Sequence, residues 1–85
     1  MNNTIDKFEV IDRTTFVQFL EKLRQDFLDN PHTWENKTLP DFLEALNSYG
    51  EDIQGHYDNM NIDINADQAN WKVFADIFKG ARIYE

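Results

Sequence analysis

Residues 15–31 read TFVQFLEKLRQDFLDNP, and within them Phe16, Phe19, Leu20, Leu23 and Phe27 recur at spacings of three and four. That spacing places all five on one stripe of a 3.6-residue helix, with Glu21, Lys22, Arg24, Gln25 and Asp29 turned away from it. Thr15 followed by Gln18 has the capping-box spacing, and Asn30-Pro31 ends the run because the residue before a proline is driven out of the helical region. A helix over 15–29 follows.

Downstream, Thr38-Leu39-Pro40-Asp41 is a helix start: a hydroxyl acceptor, a proline whose missing N–H costs nothing in the first turn, and an acid at the positive end of the dipole. Leu39, Phe42, Leu43 and Leu46 form the apolar stripe of a second helix, predicted over 38–49, with Gly50 as the left-handed residue past its end. A third helix is predicted over 70–81, where Trp71, Phe74 and Phe78 recur at helical spacing and Asp67 or Asn70 caps the start. Ile83-Tyr84 is then a turn that packs back on the bundle. The short 31–37 connection predicts that the first two helices are antiparallel neighbours.

Two segments lie outside these helices. Residues 1–12 are polar with Ile5, Phe8, Val10 and Ile11 embedded, the pattern of an extended arm laid on a core. Between Glu51 and Gln68 the chain is too long to be structureless inside so small a domain. Met60, Ile62, Ile64 and Ala66 alternate there with Asn61, Asp63, Asn65 and Asp67, a strand-like period of two built from residues that disfavour strands. A lone strand there lacks a partner unless the arm around residues 8–10 supplies one, so 59–67 is expected to be an ordered extended connection that pins Ile62 or Ile64 into the bundle. The expected fold is mainly α, a three-helix single domain over 1–85. Its core is Phe16, Leu20, Leu23, Phe27, Phe42, Leu46, Trp71, Phe74 and Phe78.

At 85 residues, 41% of them hydrophobic and 14% aromatic, the chain has room for one core and little space for a large cofactor. The absence of cysteine excludes disulfides, thiolate metal sites and cysteine nucleophiles, and suits a reducing cytoplasm. No secretory leader or membrane-length apolar run is readable. The net charge of −8 opposes nucleic acid and anionic membrane as partners. That charge is concentrated: residues 38–71 hold Asp41, Glu44, Glu51, Asp52, Asp58, Asp63 and Asp67 and no lysine or arginine.

Three stretches carry a family resemblance: FVQFLEKLRQDF at 16–27, WENKTLPDFLEAL at 34–46 and WKVFADIFKGARIYE at 71–85, the last with Trp-x-x-Phe-Ala-Asp-Ile and a final Ile-Tyr-Glu. With them the chain resembles a family of small acidic bacterial proteins of unknown function. The resemblance implies a helical single domain and transfers no catalytic residue.

No catalytic, cofactor or metal set can be assembled from the residue types. His32 and His56 are the only imidazoles and stand in no HExxH or repeated ligand spacing. The alternation from Asn59 to Asp67 resembles the start of a calcium loop. The sixth and twelfth places, which need Gly and Glu, hold Ala66 and Lys72 when counted from Asn61, and Ile64 and Asn70 when counted from Asn59. Glu51-Asp52 reads as a solvated pair at a helix end, Trp34 and Trp71 as packing residues, and Asp76 as a carboxylate bonded to a backbone amide or to Arg82.

The leading expectation is therefore a non-enzymatic protein-binding module, of the inhibitor or immunity type, whose seven acids at 41, 44, 51, 52, 58, 63 and 67 face a basic protein partner. A small-molecule or metal-dependent activity around His56 and Asp58 is the alternative. A structural homodimer or subunit is the third reading.

Overall fold

A computed structural model describes residues 4–84. Helix α1 spans Thr4–Lys7, α2 Arg13–Asp29, α3 Leu39–Asn59 and α4 Trp71–Ala81, with a 3-10 turn at Pro31–Thr33 and no strand among the described residues. Met1 to Asn3 of the expected arm, and Glu85 of the C-terminal signature, lie outside the described residues.

The arm is extended only in part. Its first described residues close one turn of helix, too short to persist on propensity alone, and Ile5 and Val10 on either side of Phe8 bury against Phe19, Leu23, Trp34 and Ala75. Helix α2 starts two residues before the expected Thr15 because Asp12 is the better cap. Its carboxylate accepts the Thr15 N–H at 2.8 Å, and the Thr15 hydroxyl accepts the Asp12 N–H at 3.1 Å. These bonds from Thr15, backbone first and then hydroxyl, hold the Asp12 carboxyl below its ordinary value.

The α2 stripe centres on Phe19 and Leu23, with Phe16 and Phe27 half-buried beside them. Leu20, expected in the core, is 38% exposed because it lies about 100° around the helix from Phe19. A similar correction applies to α4. Trp71 and Phe74 are 36% and 37% exposed, whereas Val73, Ala75 and Ala81 are buried. Helix α4 lies between two clusters, so Val73 meets Ile53 and Tyr57 on one side while Ala75 meets Phe19 and Trp34 on the other. Close approach on both flanks selects small side chains for the centre and leaves the large aromatic rings at the edges.

Helices α2 and α3 are not each other's principal neighbours despite the short connection; α4 packs on both. Trp34 fills the space between them, edge-on to Phe27 at 5.1 Å and 5.5 Å from Phe42, with its indole N–H donated to Asp26 at 2.8 Å. Phe78 completes the chain of rings, 6.2 Å from Phe42 and 5.9 Å from Phe16.

Thr38 caps α3 as expected, but the helix runs ten residues beyond Tyr49. Gly50 and Gly55 are helical, no described glycine has a positive φ, and the left-handed residue is Asn61 at φ 58°. Ile53 and Tyr57 continue the buried stripe for two more turns at 1% and 2% exposure. Burying two such side chains is worth about 1.5–3 kcal/mol each, more than the ~1 kcal/mol lost at each helical glycine. At the other end Leu39 and Leu43, expected in the stripe, are 70% and 52% exposed, and Ala45 takes the buried place.

The 60–70 connection pairs with no strand. Gln54 of α3 holds it, donating to the Ile64 carbonyl at 3.0 Å and accepting the Ala66 N–H at 2.7 Å. Ile64 and Ala66 are thereby packed on Ile53, Tyr57 and Val73, while Ile62 stays 37% exposed. Replacing Gln54 with Met keeps the volume and removes both bonds, which should cost about 1–3 kcal/mol. Amide exchange at residues 62–68 should accelerate more than at Phe19 or Leu23. Unchanged protection over 62–68 would show that another contact orders the connection.

At the C-terminus, Asn36 donates to the carbonyls of Ala81 and Tyr84 at 2.8 and 2.7 Å. Tyr84 packs on Tyr49 with ring centroids 5.1 Å apart, as expected of a returning turn, while Ile83 is 53% exposed.

Candidate functional site

The solvent face of α3 carries the acids singled out in the sequence. Asp41, Glu44, Glu51, Asp52 and Asp58 are all exposed and fall on the side of the helix opposite Ile53 and Tyr57. At 1.5 Å per residue the strip is roughly 25 Å long, and Asp63 and Asp67 stand exposed on the connection that follows. None of the seven forms an ion pair among the described residues. Two are held by neutral donors: Asp52 accepts the Tyr84 hydroxyl and Asp58 accepts from Gln54 at 3.0 Å. Glu51-Asp52 is therefore a mid-helix pair, not a helix-end pair.

The structure also assembles a polar cluster that sequence reasoning missed. Among the described residues Asp76 bonds neither a backbone amide nor Arg82. Its Oδ2 accepts the Tyr57 hydroxyl and the Lys72 ammonium, both at 2.7 Å, and Lys79 Nζ lies 3.7 Å from Oδ1. The lysines were legible as i−4 and i+3 partners on one helix face. Tyr57 was not, since it belongs to a part of α3 expected to be loop. Arg82 instead pairs with Asp6 of α1. Arg82 is 5% exposed, and its Nε has no hydrogen-bond partner among the described residues. A buried donor in that state costs about 1–3 kcal/mol until an acceptor reaches it.

Burial, then the bond to Asp76 and its negative charge, hold the Tyr57 phenol well above its ordinary value. A raised phenol stabilises the fold fully below the unfolded value of about 10, and that contribution fades as pH climbs toward the folded value. Tyr57→Phe should lose about 1.5–3 kcal/mol at pH 7, as for a bond to a charged acceptor. The gap to wild type should narrow between pH 10 and 11.5 in urea titrations. A gap independent of pH would mean that the phenol is neither buried nor bonded to Asp76.

Tyr49, His56, Tyr57, Lys72, Asp76 and Lys79 line a cleft of about 270 Å³, with Ile62 and Ile83 also on its wall. His56 belongs to it, its ring 6.3 Å from both Tyr49 and Tyr57. Asp58, its suggested companion, lies two residues on, about 200° around α3 and on the acidic strip, so the two do not converge. Among the described residues no three His, Asp or Glu side chains are grouped to hold a metal ion, and no helix is long and apolar enough to cross a membrane.

Residues 12–85 match a family of unknown function, DUF7660. The chain belongs to that family. No curated protein and no solved structure matches it. The DUF7660 segment opens at the Asp12 cap and takes in α2, α3 and α4, hence the whole acidic strip and the Asp76 cluster. Helix α1, with the Asp6 partner of Arg82, precedes it.

Proposed function

We propose that this DUF7660 chain is a non-enzymatic protein-binding module, of the inhibitor or immunity type, that works in a bacterial cytoplasm and presents the acidic face of α3 to a basic protein. The reading rests on one observation: five exposed carboxylates follow one side of α3 and two more stand exposed on its connection, with no ion pair to neutralise them among the described residues. Such a surface raises the encounter rate with a cation-rich partner and repels nucleic acid and anionic lipid.

Reversing Glu44 and Glu51 to Lys isolates the effect, because neither carboxylate bonds a neighbour among the described residues, whereas Asp52 holds Tyr84. Association with a basic partner captured at low salt should slow about tenfold or more. Its steep salt dependence should flatten, while the melting curve stays in place. Glu21→Lys with Asp29→Lys on α2 makes the same charge change elsewhere and should leave the rate largely intact. Equal slowing in both pairs would reduce the strip to a net-charge effect, and no slowing in either would remove it from consideration.

The homodimer or subunit reading draws on a different feature, the half-exposed Trp71 and Phe74, whose rings lie 5.8 Å apart at the α2–α4 edge. Sedimentation equilibrium of the chain alone separates it from the first: a monomer across the micromolar range excludes a constitutive dimer.

A further inference from the structure

The cleft beside Asp76 holds a charge balance opposite to that of the chain. Lys72, Lys79 and Arg82, three of eight basic residues in a protein of net charge −8, line it against two carboxylates, Asp6 and Asp76. Both carboxylates are already engaged, Asp6 by Arg82 and Asp76 by Tyr57 and Lys72. Lys79, 21% exposed and 3.7 Å from Asp76, keeps ammonium hydrogens to donate. The Tyr49 hydroxyl makes no hydrogen bond among the described residues, and burial followed by the Asp76 charge holds its phenol above the ordinary value. The buried Arg82, whose Nε has no partner among the described residues, adds a further positive centre to the same wall. Donors that exceed the acceptors around them, beside apolar and aromatic surface, are the chemistry of a pocket for a small anion.

We propose that this cleft binds a small molecule carrying one oxyanion, a phosphate or a carboxylate, on a compact apolar body. The oxyanion lies between Lys79, the Tyr49 hydroxyl and the Arg82 side, and the apolar body lies against the Tyr49 ring, Ile62 and Ile83. A volume of about 270 Å³ limits the body to a few carbons or a single ring. Asp41, Glu44, Glu51 and Asp58 face away from the cleft, so the site stands whether or not the acidic strip takes a protein partner.

Titrating the full chain with phenyl phosphate, benzoate and inorganic phosphate, each at ionic strength matched with sodium chloride, tests the site by amide NMR. Saturable shifts should cluster at residues 49, 56–57 and 79–83. Inorganic phosphate, lacking the ring, should bind more weakly than phenyl phosphate. The tighter of phenyl phosphate and benzoate identifies which oxyanion the cleft prefers. Lys79→Met should weaken the tighter probe by about tenfold, the usual loss for a charge-assisted bond. Tyr49→Phe, which keeps the ring, should weaken it by less, and Lys22→Met on α2 should leave it unchanged. Should Lys79→Met melt early, Tyr49→Phe decides alone. The proposal fails if no probe saturates beyond the chloride baseline. It also fails if the Lys79 or Tyr49 variant that folds binds as wild type does, or if Lys22→Met loses as much.

Discussion

Phe19→Ala should cost about 3–5 kcal/mol, the range for emptying a fully buried aromatic site. Phe19 is 0% exposed where Ile5, Val10, Leu23, Trp34 and Ala75 meet, so truncation opens a void against α1, α4 and the Trp34 loop together. For a domain whose total stability falls in the usual range of about 5–15 kcal/mol, that is a large share. The adjacent Leu20→Ala should cost well under half as much, since Leu20 is already 38% in water. Urea midpoints of the two variants compare the sites directly. If Leu20→Ala proved the more damaging, α2 would have to turn Leu20, and not Phe19, toward the core.

Gly80→Ala should produce the second large loss, about 2 kcal/mol net, although alanine is the better helix former by ~1 kcal/mol. A Cβ built at Gly80 falls 2.1, 2.4 and 2.6 Å from three carbons of the Tyr49 ring, so the ring or α4 must move. The ring has little freedom: Tyr84 packs on it at 5.1 Å, and Tyr84 is itself held by Asn36 and Asp52. Gly50→Ala, placed on the same α3–α4 contact, meets only Ile77 at 3.9 Å and should be neutral or stabilising by about 0.5–1 kcal/mol. Pairing Gly80→Ala with Tyr49→Leu should recover most of the loss. A Gly80→Ala protein at least as stable as wild type would mean that Tyr49 does not lie across α4.

The three long helices were legible because each carries an apolar period that a helix satisfies locally, and Thr38-Leu39-Pro40-Asp41 marks a start that depends on no distant contact. The extension of α3 was hidden by Gly50 and Gly55, whose local preference opposes the burial of Ile53 and Tyr57, and that burial exists only once α4 is in place. The alternation from Met60 to Asp67 suggested a strand period because Ile64 and Ala66 both turn inward, an outcome set by the two bonds of Gln54 rather than by a sheet. The acidic strip was visible as a run without bases, and its one-sidedness follows from α3 being helical throughout. The Asp76 cluster was half visible: the Lys72 and Lys79 spacings lie on one helix, whereas Tyr57 is 19 residues away.

Composition, helical period and capping chemistry are properties of neighbouring residues, and by themselves they determined that this chain is an all-α protein with an acidic central stretch and no thiol chemistry. Which residue of each stripe lies deepest was decided by tertiary structure. Helix α4 is covered on two sides, so Val73 and Ala75 are buried while Trp71 and Phe74, the larger apolar residues, remain at its edges. The cleft was decided in the same way. Tyr57 reaches Asp76 only because α3 continues past its glycines, Tyr49 meets Gly80 because α3 runs antiparallel to α4, and burial energy that no local segment contains is what holds the two helices together.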